Sequence, residues 1–329
     1  MNRGGLGMPG SMKIGYFLSC EEYTPEELVD QATLAESAGF SGLAISDHYH
    51  PWNDEQGQSP FVWSVIGAIS QACSLPVTTA VTCPTVRIHP AVVAQAAATS
   101  ATLLKGRFRL GVGSGEALNE HILGAAWPHA EQRLAMLEEA VGVIRQLWTG
   151  ETVSHHGEFY DVDTARLYTL PPRPPQVLVS AFGPKALGTA VRIGDGLVTT
   201  MPDADGVSAF REAKGASAPT IAMLKVAYAD TEEEGVEHAH RLWANSGVPG
   251  ELAQVLPSPQ HFEQASTLVT KEATAKSVVA GRDVDAHSQA FGPFDEAGID
   301  EVFVANMGPH YRAMIEFYGS QVLPRLAGP

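Results

Sequence analysis

Two clusters of polar and aromatic side chains each follow a short apolar segment, and this arrangement limits the fold more than any other sequence feature. The first cluster, Ser46–Trp52, holds an acid, two histidines and a tryptophan behind the apolar run Gly42–Ile45. The second, Gly111–Glu120, follows Arg107–Leu110. In parallel α/β folds, catalytic groups lie at the carboxyl ends of the strands. The two clusters therefore predict an active site built from loops on one face of a barrel.

Strand-like and helix-like segments alternate along the chain, which is typical of a parallel sheet covered by helices. The first helix has clear start signals: Thr24 as N-cap, Pro25 at the first helical position, and Glu27 to complete a capping box. The alternation predicts an α/β fold, a (β/α)₈ TIM barrel with insertions, within 329 residues. The eight predicted strands are Ile14–Leu18, Gly42–Ile45, Val77–Val81, Phe108–Val112, Val177–Ser180, Leu197–Thr199, Ile221–Val226 and Glu301–Val304.

Three segments depart from the simple alternation. A hairpin is predicted in the excursion Gly150–Tyr168, with strands at Thr152–Ser154 and Phe159–Asp161. The acidic, helical stretch at about 230–290 is predicted to be an insertion before the last strand, and Tyr311–Leu326 is predicted to be the closing helix.

The domain organisation is predicted to be simple. Residues 13–329 are expected to form a single domain. Residues 1–12 contain several glycines but no apolar core of a signal peptide. They are expected to be a disordered extension or residues added by cloning.

Composition excludes several functional classes. The formal net charge of −16 argues against nucleic acid or an anionic membrane as a partner. Cys20, Cys73 and Cys83 have no paired spacing, which excludes a zinc ribbon or a disulfide scaffold. They are expected to be reduced thiols in a cytoplasmic protein. No apolar run reaches the roughly 18 residues of a membrane span.

His48 is the first candidate catalytic residue. Next to Asp47 at a strand end, its imidazole could accept a proton from a hydroxyl. A structural histidine that hydrogen-bonds a loop is the alternative. A metal site would pair His48 with His50 and require further ligands. His89, His129 and His310 have no convincing ligand spacing, so no metal is predicted.

The second cluster supplies Glu116 on a flexible turn, with Asn119 as an amide partner three residues later. Its glycines lack the GxGxxG spacing of a dinucleotide-binding loop. Small polar groups in Thr82–Thr85 follow the third strand, and Trp52 could line a wall that binds a ring. The segment Ser180–Pro184 joins a strand to a helix, where free backbone amides suit an anion.

In this order, the motifs resemble the luciferase-like superfamily of flavin and deazaflavin enzymes, and more closely the F420-dependent glucose-6-phosphate dehydrogenase group. The resemblance extends from Lys13 over nearly the whole chain. The matching segments are Ile14–Tyr16 with Glu21, Ser46–Tyr49 with Pro51–Trp52, Pro84–Thr85 with Pro90–Val92, Gly111–Gly113 with Gly115–Glu120, Gly183–Pro184, Gly194–Gly196 and Leu323–Leu326.

The resemblance implies a TIM barrel, often dimeric, that holds coenzyme F420 at the carboxyl ends of its strands. It also implies a bulge with a cis peptide bond at Ala80–Val81. The residues that would bind the coenzyme are Asp47, Ala80, Val81, Cys83, Asn119, Ser180, Ala181, Phe182 and Gly183.

The same resemblance implies catalytic roles. His48 would act as base on the substrate hydroxyl, and Glu116 would give a proton to the coenzyme ring. Trp52 would stabilise the intermediate, and Glu21 is the fourth catalytic candidate, without a basic partner that the sequence can name. Removing the hydroxyl proton from an alcohol makes the departure of hydride from its carbon chemically sensible.

The departures from the family concern phosphate binding. Where the glucose-6-phosphate enzymes carry basic residues, this chain aligns Asp203, Val255 and Ser277. A carboxylate at such a position repels phosphate, so glucose 6-phosphate is not the expected substrate. Phe182 also replaces a small glycine beside the coenzyme loop.

We therefore expect an F420-dependent oxidoreductase that acts on a small-molecule alcohol or carbonyl substrate, either an unphosphorylated sugar or an apolar secondary alcohol or ketone. A cytoplasmic homodimer is expected. Three alternatives stay open at this point: an FMN-dependent monooxygenase on the same barrel, a metal-dependent hydrolase using His48 and His50, and a non-catalytic coenzyme-binding protein.

Overall fold

A closed barrel of eight parallel strands forms the centre of the computed structural model, which describes residues 12–326. The prediction for residues 1–12 falls, apart from Met12, outside the described residues. The order around the barrel is β1-β2-β3-β4-β7-β8-β9-β11, and β11 pairs with β1 to close it. The predicted TIM barrel is thus confirmed. The strands are β1 Lys13–Leu18, β2 Leu43–Ile45, β3 Val77–Thr79, β4 Phe108–Val112, β5 Val153–His156, β6 Asp161–Ala165, β7 Val177–Ser180, β8 Gly196–Val198, β9 Thr220–Ala227, β10 Val279–Ala280 and β11 Glu301–Asn306.

Helices follow the strands and cover the barrel. The first helix begins as its sequence predicts, because Thr24 and Glu27 form a complete capping box. The helices are α1 Pro25–Ala38, α2 Val62–Ala72, α3 Pro90–Leu103, α4 Ala117–Glu120, α5 Ala130–Leu147, α6 Pro184–Ile193, α7 Ala204–Lys214, α8 Glu232–Trp243, α9 Leu252–Val255, α10 Pro259–Ser266, α11 Lys271–Ala275, α12 Val284–Gln289, α13 Gly292–Glu296, α14 Tyr311–Phe317 and α15 Leu323–Leu326.

The inside of the barrel is packed by side chains from alternate strand positions. Near the amino ends of the strands, Arg109 pairs with Glu301 at 2.5 Å and donates to Thr78 Oγ1 at 2.8 Å. Phe303 fills the next level, where Gly15 leaves room for its ring: a Cβ on that glycine would lie 2.4 Å from it. The barrel is therefore closed at this end, and the site can lie only at the carboxyl ends.

Two predicted elements differ in detail from the structure. The second hairpin strand lies at Asp161–Ala165, where Phe159–Asp161 was predicted, and the hairpin register shifts between Val153 and His155. The closing helix covers its predicted residues, with a π-helical turn at Tyr318–Val322. Helix α7 was not predicted.

The third strand ends early, at Thr79, and a bulge follows. The Ala80–Val81 peptide bond is cis, as the resemblance implied. The chain then returns to the sheet at Thr82, whose amide donates to the Gly111 carbonyl at 2.9 Å. The bulge directs this segment towards the carboxyl end of the barrel.

The chain between β9 and β11 is mostly helical, comprising α8 to α13 and the short strand β10. Strand β10 pairs with the last residues of β9, where Val279 lies opposite Val226. No helix within residues 12–326 combines the length and apolar character needed to cross a membrane.

We predict that Gly111→Ala destabilises the barrel by about 1–3 kcal/mol or more, because overpacking forces the backbone to shift. A Cβ at this position would lie 1.9 Å from the Thr79 carbonyl oxygen. The matched control is Gly142→Ala in α5, where nothing lies within 4 Å of the new Cβ. The control is expected to gain about 0.5–1 kcal/mol from helix propensity. Chemical unfolding measures both, and equal midpoints for the two variants would contradict the close approach of the strands.

Candidate active site

His48 stands three residues beyond the end of β2, between two carboxylates. Its Nε2 lies 3.2 Å from Glu21 Oε1 and 3.6 Å from Glu116 Oε1. Glu21 follows β1 and Glu116 follows β4, so three different strands deliver the three side chains to one point. The His48 side chain is 10% exposed and that of Glu116 is 27% exposed. The cluster therefore faces the opening of the barrel.

The other ring nitrogen of His48 fixes the orientation of the imidazole. Nδ1 lies 3.2 Å from the His50 carbonyl oxygen and 3.1 Å from Asn119 Nδ2. In one neutral tautomer, Nδ1–H donates to the His50 carbonyl and Nε2 can take up a proton. In the other, Nδ1 accepts from Asn119 Nδ2 and Nε2–H donates to Glu21. In both, a proton on Nε2 lies between the carboxylates of Glu21 and Glu116.

Asn119 organises the loop that carries His48. Its Oδ1 accepts from the amides of Tyr49 at 2.8 Å and His50 at 3.1 Å, and its Nδ2 donates to Glu116 Oε1 at 2.8 Å. One buried amide thus positions both the imidazole and a carboxylate. Its predicted contact with the coenzyme stays a prediction.

Glu21 is held from behind by a hydroxyl. Ser46 Oγ donates to Glu21 Oε2 at 2.7 Å and accepts from the Cys20 amide at 2.9 Å. Glu21 is 2% exposed, and no lysine or arginine among residues 12–326 forms a salt bridge with it. Its ionisable partner is therefore His48. The sequence alone had not identified a partner for Glu21.

Asp47 belongs to a second buried network beside the site. It accepts from Thr82 Oγ1 at 2.8 Å and pairs with Arg87 at 2.7 Å. Arg87 also donates its amide to Glu120 Oε2 at 2.7 Å. Burial raises the pKa of Glu120 to about 7, against the opposing effect of Arg87. This network fixes the start of the His48 loop to the segment after the bulge.

Trp52 forms an aromatic wall next to His48. The two ring centroids lie 4.9 Å apart, and on its other side Trp52 meets Phe262 of α10, also at 4.9 Å. The Trp52 amide donates to Gln56 Oε1 at 2.8 Å, and Gln56 Nε2 donates to the Leu242 carbonyl at 2.9 Å. The helical segment after β9 thus braces the tryptophan.

The predicted coenzyme-binding residues line the same end of the barrel. Ala80 and Val81 of the bulge pack on the interior apolar cluster. Cys83 is buried, and burial raises the pKa of its thiol well above the usual value, so it is an uncharged group here. Ala181 is buried, and Ser180 ends β7.

The last two predicted coenzyme-binding residues, Phe182 and Gly183, are exposed to solvent just before α6. Phe182 is 62% exposed. At Gly183, nothing lies within 4 Å of where a Cβ would stand. The segment is accessible to a ligand approaching the amino end of α6.

Several residues of the site carried no distinct signal in the sequence. Arg87, Gln56 and Phe262 reach it from loops and from the helical segment, and no spacing rule indicates them. Lys225 is the fourth such residue. It lies on β9, an even number of residues from Ile221, so both side chains point to the inside of the barrel. It has no hydrogen-bond or salt-bridge partner in residues 12–326, and burial lowers its pKa. The sequence signal that could have indicated Lys225 is its position as the single charged residue of an apolar strand.

Comparison with known proteins gives consistent matches along the chain. The model of the luciferase-like monooxygenase family matches residues 12–301. The F420-dependent glucose-6-phosphate dehydrogenase of Nakamurella multipartita is 34% identical over 331 residues, which are 97% of this chain and 97% of the relative. The enzyme of the same name from Mycolicibacterium smegmatis is 34% identical, over 96% of this chain and 98% of its own length.

Two solved structures are similar in fold. An F420-dependent secondary alcohol dehydrogenase in complex with an F420-acetone adduct superposes with a TM-score of 0.89 at 30% identity, over 95% of this chain and 99% of the other. The coenzyme F420 dependent tetrahydromethanopterin reductase from Methanopyrus kandleri gives a TM-score of 0.75 at 20% identity, over 96% and 100%. The second likeness concerns the fold alone.

We predict that the stability of the wild type falls relative to Glu120→Gln as pH rises. The pKa of Glu120 is about 7 in the folded chain, above the roughly 4.3 of an unfolded glutamate. The folded state therefore binds more protons between these values, and the stability it gains is lost as pH rises through 7. The expected relative change from pH 4.5 to pH 8 is about 2–4 kcal/mol.

Urea unfolding across this pH range measures the change. The control is Glu233→Gln on the exposed face of α8, whose profile should run parallel to that of the wild type. A constant difference between wild type and Glu120→Gln over the whole range would contradict the protonated, buried carboxyl.

Proposed function

The chain belongs to the luciferase-like monooxygenase family, and we propose that it transfers a hydride between coenzyme F420 and an alcohol or carbonyl substrate that lacks phosphate. It is an F420-dependent oxidoreductase, as its relatives over the full length indicate. The substrate would be an unphosphorylated sugar, or an apolar secondary alcohol or ketone. The observation that carries the proposal is the His48 imidazole, whose Nε2 lies between two carboxylates at the opening of the barrel.

The residues at this opening fit a deazaflavin. When bound, F420 supplies the ring carbon that accepts or donates the hydride. The bulge at Ala80 and Val81, with the uncharged Cys83 beside it, offers an apolar surface to a ring face. The open segment at Phe182 and Gly183 can receive the more polar part of the molecule near the amino end of α6.

His48 is the base in this proposal. Its Nε2 accepts the hydroxyl proton of an alcohol, and Glu21 and Glu116 stabilise the resulting positive charge. Ser46 keeps Glu21 in place for that purpose. In the carbonyl-reducing direction the same imidazolium returns the proton.

Glu116 and Trp52 complete the catalytic set. Glu116 is the more exposed of the two carboxylates, at 27%, so it can reach a ligand and exchange a proton with the coenzyme. Trp52 presents its ring beside His48, where it limits access of water and packs on the substrate. The hydrogen bond from Asn119 keeps Glu116 within reach of both His48 and the coenzyme.

The positions that align with phosphate-binding residues have other uses here. Asp203 is the N-cap of α7 and accepts from the Gly206 amide at 2.9 Å. Val255 is 48% exposed, and Ser277 donates to the Thr274 carbonyl at 2.8 Å. None of the three supplies a positive charge. Lys225 is a single amine whose pKa burial lowers, which suits a hydroxyl or carbonyl oxygen better than a dianionic phosphate.

The FMN-dependent monooxygenase is the second candidate, because the matching family model is described as a luciferase-like monooxygenase. The relatives at 30% identity or more favour F420 over FMN. The homodimer and the cytoplasmic location stay predictions.

We predict that His48→Ala lowers kcat by about 10²–10⁴-fold, because a positioned base contributes this much to catalysis. Binding of oxidised F420, followed by quenching of tryptophan fluorescence, should change little. The control is His156→Ala in the hairpin, where the imidazole is 73% exposed and pairs only with Asp161. It should keep full turnover.

Titration with FMN in place of F420 distinguishes the candidates. Tighter quenching by FMN than by F420 would contradict the proposed coenzyme. Unchanged kcat in His48→Ala, with F420 bound, would remove His48 as the base and leave the coenzyme assignment standing.

A further inference from the structure

Three potential metal ligands meet outside the active site, at the edge of the barrel opening. Glu234 and His238 lie four residues apart on α8 and therefore share one face of the helix. His310 directly precedes α14. One ligand atom of each of the three side chains lies within 4.8 Å of the other two.

One ring nitrogen of His238 has no hydrogen-bond partner among the described residues. This atom, Nδ1, is buried. The main chain at Gly308 approaches the His238 side chain, and the ring of His310 lies 5.3 Å away, inclined at 64°. A buried polar atom without a partner is costly, so the described residues leave the hydrogen bonding of this imidazole incomplete.

Two imidazoles and a carboxylate are a donor set that zinc accepts in proteins, with a fourth position left for water. Glu234 alone would be explained as an acidic residue in the first turn of a helix. The two imidazoles beside it are not explained in that way.

We propose that Glu234, His238 and His310 bind one Zn²⁺ ion per chain. This inference does not depend on the proposed function. His48, Glu21 and Glu116 take no part in the group, so the ion lies outside the site proposed for hydride transfer. Sequence spacing did not indicate the site, because His310 lies 72 positions after His238 along the chain.

The ion would join two segments that support the active site. Towards its carboxyl end, α8 offers the Leu242 carbonyl, which accepts from Asn53 and Gln56 of the Trp52 loop at 2.8 and 2.9 Å. The segment before His310 offers the Gly308 carbonyl, which accepts from Tyr23 at 3.0 Å. Linking α8 to this segment restrains both sides of the opening. Zinc is therefore expected to stabilise the fold.

The test is a zinc titration of the full chain after treatment with a chelator and dialysis. Isothermal calorimetry should give a stoichiometry of one. The melting temperature should rise by about 2 °C or more at saturating Zn²⁺, because the ion binds only the folded state. His310→Ala and Glu234→Gln should weaken binding by about 10-fold or more. Without zinc, both exposed variants should melt within about 1 °C of the wild type.

Two control variants make the result specific. Glu233→Gln, next to the proposed ligand on the same helix, should bind zinc as the wild type does. His48→Ala tests whether the active site takes the ion instead. Loss of binding in His48→Ala and its retention in His310→Ala would overturn the proposal. Absence of saturable binding to the wild type would overturn it as well.

Discussion

The contact between His48 and its two carboxylates is the interaction on which the account of this protein depends. It needs Glu21 from the end of β1, His48 from β2 and Glu116 from β4. Only a closed parallel barrel places these strand ends in one ring. Asn119 then fixes the imidazole and Glu116 with a single amide. The proposed proton transfer thus depends on the geometry of the barrel, and the surrounding loops hold these side chains in place.

The substrate side of the site is controlled by the chain between β9 and β11. Helix α10 places Phe262 against Trp52, and α8 holds the Trp52 loop through the Leu242 carbonyl. The same region carries Val255 and Ser277, neither of which supplies a positive charge. One long segment therefore shapes the wall beside His48 and offers no cation at these two positions. Under the proposed function, specificity can change here without any change to the His48 cluster.

Local sequence patterns predicted the barrel and most of its strands, because alternation and capping are encoded in short stretches such as Thr24–Glu27. The residues of the His48 cluster were also predicted, since polar residues behind buried strands have few other uses. What the sequence could not predict is contact between distant segments. Phe262 beside Trp52, Arg87 across from Asp47, and His310 beside His238 depend on the path of long loops. No local periodicity records that path. The second hairpin strand begins later than predicted, and the irregular pairing between Val153 and His155 is likewise not visible in the apolar pattern.

The most direct test of the central claim compares substrates at one active site. Bleaching of oxidised F420 is followed with 2-propanol, cyclohexanol, glucose and glucose 6-phosphate under the same conditions. The account predicts that kcat/KM for at least one of the neutral alcohols exceeds that for glucose 6-phosphate by about 100-fold or more, because Asp203 carries a negative charge and Val255 and Ser277 carry none where a phosphate would need cations. A preference for glucose 6-phosphate would contradict the account. Bleaching with none of the neutral alcohols, by a protein that binds F420, would contradict it too.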